Sequence, residues 1–129
     1  MDMRTNNDIL AVDDNEVILS LIAEVAKLNG YHFRSARSAE QFFAAYEERE
    51  PALMMIDIVM PDMDGLEMIQ KLAEKNSQVP LVIMSGYEYV DDQGIKLLAK
   101  RLNLVKFLRK PFEIEELMEL FANTLEAAH

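Results

Sequence analysis

The sequence predicts an α/β fold in which a parallel sheet is covered by helices on both faces. Two observations support this prediction. Five short apolar runs alternate with five longer segments whose apolar residues recur at helical spacing. Several of these runs are apolar at nearly every position, which is typical of strands buried on both faces. Strands that alternate with helices in this way usually form a parallel sheet.

The first two units of this alternation differ in how apolar their strands are. The first strand is predicted at residues 9–12, and the helix after it ends at Asn29-Gly30, a pair that favours a left-handed helix end. The second strand, residues 31–35, is less apolar and is therefore predicted at an edge of the sheet. Ser38 and Gln41 form a capping-box pattern at the start of the second helix. The apolar stripe predicted for the first helix is Val17, Ile18, Leu21, Ile22, Val25 and Leu28.

The last three units begin with strands predicted at residues 53–58, 81–84 and 104–108. The third helix is predicted to end near Asn76 and the fourth near Leu102. The apolar stripe predicted for the final helix is Ile114, Leu117, Met118, Phe121 and Leu125.

Length and composition narrow the class of protein. A chain of 129 residues has the usual size of one domain, so we expect a single domain, residues 1–129, with its core at about 8–126. No output domain is visible in these residues, which leaves open a stand-alone protein or the N-terminal part of a longer one. The formal net charge of −10 argues against direct binding of nucleic acid or an anionic membrane. No apolar run approaches the roughly 20 residues that a membrane span requires. We therefore expect a cytoplasmic protein.

Polar side chains stand where the predicted strands end. Asp13 and Asp14 follow the first strand, Asp57 lies at the end of the third, Ser85 follows the fourth and Lys110 follows the fifth. Because parallel strands end at one edge of a sheet, which is also the edge where ligands bind, these side chains should converge. The sequence thus predicts one site with three carboxylates, a hydroxyl and an ammonium.

This set of groups is suited to phosphoryl transfer. Three adjacent carboxylates repel one another unless a cation lies among them, and oxygen ligands without His or Cys favour Mg²⁺. A carboxylate would attack phosphorus, while the metal, Lys110 and Ser85 would stabilise the phosphoryl oxygens. The simpler alternatives are that Asp13 and Asp14 only cap a helix and that Lys110-Pro111 only ends a strand.

The order and spacing of these motifs resemble the receiver domains of two-component response regulators, the CheY-like superfamily. The motifs are Asp13-Asp14, Asp57 with Met60-Pro61 and Asp64-Gly65 after it, Ser85-Gly86 and Lys110-Pro111-Phe112. The resemblance implies a flavodoxin-like (βα)5 fold, doubly wound, with five strands in the order 2-1-3-4-5. It also implies a cis peptide bond between Lys110 and Pro111.

The resemblance also implies a role for each site residue. Asp57 would accept a phosphoryl group from the phosphohistidine of a sensor histidine kinase or phosphotransfer protein. Mg²⁺ would be bound by Asp14, by Asp13 largely through water, by Asp57 and by the backbone carbonyl of Val59. Lys110 would pair with the phosphate. Ser85 and Phe107 would move on phosphorylation, and Val59 and Tyr87 would tune dephosphorylation.

Two alternatives belong to other classes of protein. A haloacid-dehalogenase-like phosphatase uses similar groups but needs a second Asp two residues after the nucleophile, where this chain has Val59. A receiver-like scaffold that takes no phosphate usually lacks one of the acids or the lysine, and all are present here. We therefore expect a switch that assists only its own phosphorylation and dephosphorylation, and not an enzyme that turns over a substrate.

Charge is unevenly distributed near the end of the chain. Residues 96–110 include six basic residues and no acid, and the following helix begins with Glu113, Glu115, Glu116 and Glu119. The resemblance implies that the fourth helix, fifth strand and fifth helix form the face that changes on phosphorylation. Self-complementary charge suits a weak homodimer, which phosphorylation would favour. The alternative is that these charges are only solvated.

Overall fold

The computed structural model describes residues 7–60, 63–86 and 93–125. The strands are β1 Asp8–Val12, β2 His32–Ala36, β3 Leu53–Asp57, β4 Val59–Met60, β5 Met63–Asp64, β6 Leu81–Ser85 and β7 Leu104–Arg109. The helices are α1 Glu16–Leu28, α2 Ala39–Glu48, α3 Gly65–Glu74, α4 Gln93–Ala99 and α5 Ile114–Leu125. Within the described ranges, no helix has the length and apolar character needed to cross a membrane.

The main sheet is parallel and has five strands in the order β2-β1-β3-β6-β7. If the short antiparallel pair β4–β5 is left out and the remaining strands are numbered one to five, this order becomes 2-1-3-4-5. The predicted flavodoxin-like fold is therefore confirmed. The less apolar strand β2 lies at an edge, as its composition predicted. The central strand is β3, which ends at Asp57.

Two cores lie on opposite faces of the sheet. Along β1, Ile9 and Ala11 belong to the core under α1 and α5, whereas Leu10 and Val12 belong to the core under α2, α3 and α4. The same alternation continues in β3 and β6, and every residue of these three strands is buried. Burial on both faces explains why these runs are almost continuously apolar. It also anchors the strand ends that carry the site.

Local capping explains where the helices begin and end. Asn15 caps α1 by accepting hydrogen bonds from the backbone N–H groups of Val17 and Ile18. In α2 the Ser38 hydroxyl accepts from the Gln41 N–H as predicted, but the Gln41 side chain accepts from the Arg37 N–H instead of from Ser38. Gly30 has the predicted left-handed backbone, with φ of 80°.

The predicted apolar stripes of α1 and α5 were partly wrong. Val17 and Leu28 are each 75% exposed, and Ile114 and Met118 are 48% and 46% exposed. Leu120, which lay outside the predicted stripe, is buried in α5. The apolar pattern identified the helices correctly, but packing between α1, α5 and the sheet rotated the buried face away from these positions.

Candidate functional site

Strand register brings the site residues to one edge of the sheet. Val12 pairs with Ile56, and Asp57 pairs with Met84. Asp13 therefore lies one step beyond β1, beside Asp57, and its N–H donates to the Ala36 carbonyl at 3.1 Å. The predicted convergence of side chains at the carboxyl ends of the strands follows directly from this register.

Lys110 bridges two buried carboxylates. Asp13 is 0% exposed and Asp57 is 2% exposed. The Lys110 Nζ lies 2.7 Å from Asp13 Oδ2 and 3.1 Å from Asp57 Oδ2. The other Asp13 oxygen, Oδ1, accepts from the Asn15 N–H at 2.9 Å. Lys110 thus contacts Asp13 as well as Asp57, a contact that was not predicted, and the Lys110–Pro111 bond is cis as expected.

The charge of Lys110 is set by opposing effects. Burial by itself lowers the pKa of the Lys110 ammonium, but the hydrogen bond to Asp13 and the charge of Asp57 outweigh burial and raise this pKa above its usual value. Lys110 is therefore a fixed cation at neutral pH. It offsets only part of the repulsion among three carboxylates.

Asp13, Asp14 and Asp57 could hold a metal ion. Each offers a carboxylate oxygen, and these oxygens lie within 4.8 Å of one another. Asp13 and Asp57 are buried, whereas Asp14 is exposed. Such a donor set fits Mg²⁺, which binds one or two carboxylates and keeps several waters that reach it from the open side.

Ser85 supplies a buried hydroxyl beside these acids. Its side chain is 1% exposed, and the Oγ atom has no hydrogen-bond partner among the residues that the structure describes. A buried hydroxyl without a partner is unfavourable by about 1–3 kcal/mol. The backbone of Ser85 is tied to the lysine because the Lys110 N–H donates to the Ser85 carbonyl at 2.9 Å. The hydroxyl is therefore available to an anionic group bound next to Asp57.

The other predicted residues lie in different situations. Phe107 is partly buried and packs against the core under α2, α3 and α4. Val59 belongs to β4, but its side chain, like all of Tyr87, lies outside the described part of the chain. The sequence reasoning missed Asn15, whose side chain sets the start of α1 beside Asp13 and Asp14. The preference of Asn for the N-cap position was the signal that could have revealed it.

The family of this chain follows from comparison with known proteins. The model of the response regulator receiver domain family matches residues 9–122. The chain belongs to this family, whose members are signalling modules of two-component systems and not enzymes that turn over a substrate. The haloacid-dehalogenase-like alternative is therefore set aside.

Relatives with known names agree with this membership. The nitrogen assimilation regulatory protein NtrX of Azorhizobium caulinodans is 31% identical over 93% of the chain, and the transcriptional regulatory protein FixJ of Rhizobium meliloti is 27% identical over 95%. The crystal structure of the NtrX receiver domain from Brucella abortus has a TM-score of 0.77 at 28% identity, covering 92% of this chain and 98% of that one. The chain spans 26% of NtrX and 58% of FixJ.

Proposed function

We propose that this chain is a phosphorylation switch in which Asp57 accepts a phosphoryl group from the phosphohistidine of a sensor histidine kinase or phosphotransfer protein. One observation carries the proposal. The Asp57 carboxylate is buried at the end of the central strand, bridged by Lys110 and grouped with two further acids. Asp13 shares these neighbours, but it lies one residue beyond β1 and its Oδ1 accepts from the Asn15 N–H, whereas Asp57 is the last residue of the central strand.

In the transfer, an Asp57 Oδ atom attacks phosphorus, a phosphorus–oxygen bond forms, and the bond from phosphorus to the donor imidazole nitrogen breaks. Lys110 holds the Asp57 carboxylate in place and then pairs with the phosphoryl oxygens. The Ser85 hydroxyl donates a hydrogen bond to one of these oxygens. Reversal of the switch occurs when water attacks the same phosphorus atom and releases phosphate.

The acids Asp13, Asp14 and Asp57, with the backbone carbonyl of Val59, would hold Mg²⁺ in the working protein. When bound, the ion supplies positive charge that stabilises the phosphoryl oxygens. The grouped carboxylate oxygens support this assignment.

The direct test is phosphorylation of the purified chain with acetyl phosphate, followed by intact-mass measurement. We expect one added phosphoryl group in Mg²⁺ and none after the metal is removed with EDTA. A chain that stays unmodified in Mg²⁺ with both acetyl phosphate and a phosphohistidine donor would contradict the proposed function.

The surface of α4, β7 and α5, here called the output face, is proposed to bind a second copy of the chain. Lys100, Arg101, Lys106 and Arg109 are exposed on its basic part, whereas Lys110 belongs to the site and does not contribute. The acidic part consists of Glu113, directly before α5, and the exposed residues Glu115, Glu116 and Glu119 in the first half of α5. Apolar side chains at Leu97, Val105 and Met118, which are 68%, 43% and 46% exposed, lie in the same elements and support an interface.

A homodimer of this kind should be weak and sensitive to salt, because exposed ion pairs contribute only about 0–1 kcal/mol each. Sedimentation velocity should show more dimer at low salt than at high salt, and more after treatment with acetyl phosphate. Lys100→Glu combined with Lys106→Glu should reduce the dimer. A monomer under all of these conditions would contradict the homodimer.

The lifetime of the phosphorylated state is proposed to depend on Val59. A valine at this position has no group that can orient the hydrolytic water, so dephosphorylation should be slow. Val59→Asn supplies a carboxamide and is expected to speed loss of the phosphoryl group by about tenfold through better positioning of the water. The exposed Leu28 at the end of α1, outside the output face, gives a control, Leu28→Asn, with no expected change in this lifetime. An unchanged or longer lifetime in Val59→Asn would count against this role.

A further inference from the structure

Gly65, the first residue of α3, lies directly against the residue that follows Asp57. A Cβ atom added to Gly65 would lie 2.4 Å from the Cα of Ile58 and 2.5 Å from its carbonyl oxygen. Carbon atoms that are not bonded prefer separations of about 3.5–4.0 Å. A side chain at position 65 would therefore force α3 and Ile58 apart by about 1 Å.

Both sides of this contact are held in the core under α2, α3 and α4. Met68, Ile69 and Leu72 anchor α3 in the core with 0% exposure, and close-packed interiors resist displacement of such side chains. Ile58 lies just beyond the end of β3, and its N–H donates to the Met84 carbonyl at 3.2 Å. Ile58 is itself only 7% exposed, so an added Cβ should displace both α3 and Ile58, and any shift of Ile58 is passed through the peptide bond to Asp57.

The neighbourhood of Asp57 tolerates little movement. The hydrogen bond from Lys110 Nζ to Asp57 Oδ2, at 3.1 Å, is already near the long end of the favourable range. The metal-binding arrangement also requires the three carboxylate oxygens to stay within a short distance of one another. The paired strands β4 and β5, with Val59 opposite Asp64, return the chain so that Gly65 reaches Ile58.

We propose that Gly65 is a positioning residue for the phosphorylation site. Its lack of a side chain lets α3 pack on the backbone of Ile58, and this contact sets the position of the Asp57 carboxylate relative to Lys110 and the other acids. The inference rests on the proposed role of Asp57, and it adds a requirement for α3 that lies outside the set of chemically active groups.

The test is Gly65→Ala. We expect the variant to remain folded, to bind Mg²⁺ about 10–100-fold more weakly by calorimetry, and to be phosphorylated by acetyl phosphate about 100-fold more slowly. Substitution of groups that orient metal ligands has effects of this size.

Gly30→Ala is the matched control. Gly30 has φ of 80°, and an added Cβ would have nothing within 4 Å. It precedes β2 and therefore lies at the amino ends of the strands, whereas the site lies at their carboxyl ends. This change should lower the melting temperature through backbone strain and leave Mg²⁺ affinity unaltered. If Gly65 had only a structural role, Gly65→Ala would also lower the melting temperature and leave the Mg²⁺ affinity unaltered.

Two results would overturn the inference. One is Gly65→Ala with the Mg²⁺ affinity and phosphorylation rate of the wild type. The other is a variant that stays unfolded even with a stabilising osmolyte, because the contact would then serve the whole fold and not the site. If the wild type itself is not phosphorylated, the role of Asp57 fails, while the Mg²⁺ measurements still decide whether Gly65 positions the acids.

Discussion

Replacing Asp57 with Asn is expected to abolish phosphorylation by acetyl phosphate in the presence of Mg²⁺. Asn has nearly the same size and shape, so the buried position should remain filled, but its neutral amide is not a competent nucleophile. Asp57 is only 2% exposed, and its fixed orientation at the end of β3 distinguishes it from the exposed acids. Intact-mass measurement should show one added phosphoryl group in the wild type and none in Asp57→Asn.

An exposed acid in the first turn of α3 provides the control for this experiment. Glu67→Gln makes the same carboxylate-to-amide change outside the buried cluster, and this variant should be phosphorylated as fast as the wild type. If Asp57→Asn still gained a phosphoryl group, another side chain would be the acceptor and the assignment would be wrong.

Removing the charge of Lys110 should have the largest effect on stability. Lys110→Met keeps most of the aliphatic stem but leaves Asp13 and Asp57 without their bridging cation. Removal of one partner from a buried ion pair typically costs about 3–5 kcal/mol. The Lys110 side chain is 22% exposed, so we expect the free energy of unfolding to fall by about 3 kcal/mol, near the lower end of this range. Urea unfolding with EDTA present measures this change.

Mg²⁺ should reduce the difference in unfolding free energy between Lys110→Met and the wild type, because the ion supplies positive charge to the same acids. Binding to the native state alone adds about 2.7 kcal/mol at a hundredfold excess over the dissociation constant. In Asp14→Ala this response to Mg²⁺ should disappear, whereas a full response would put the ion elsewhere.

Lys106→Met on β7 is the matched control for the lysine variant. Lys106 is exposed, so its replacement should change stability by no more than about 0.5 kcal/mol. If the two lysine variants lost equal amounts of unfolding free energy, the bridge between Lys110 and the acids would contribute little to stability.

Several parts of the site were predictable because they depend on chain direction and strand ends. Once the apolar runs were taken as parallel strands, Asp13, Asp57, Ser85 and Lys110 had to lie near one edge of the sheet. The structure places all four there, and it shows Asp14 grouped with them as well. The chemical assignment of each residue still depends on the experiments above.

Other parts could not be predicted, since they depend on how elements rotate and approach one another. The pattern of apolar residues identified α1 and α5, but it did not determine that Val17, Leu28 and Met118 face outward. A helix with a broad apolar surface can bury several alternative faces, and its neighbours select one.

The sequence by itself determined the alternation of strands and helices and the position of β2 as an outer strand. It also determined that the polar groups meet at the carboxyl ends of the strands. Each of these follows from local periodicity and from the rule that parallel strands end together. Only the tertiary structure decided that Lys110 bridges Asp13 to Asp57 and that Gly65 lies against Ile58. Lys110 is 97 residues from Asp13 and 53 from Asp57 along the chain, and Gly65 meets Ile58 only because β4 and β5 turn the chain back on itself. These contacts depend on distances of a few ångströms, which the packing of α3 and of the strand ends sets.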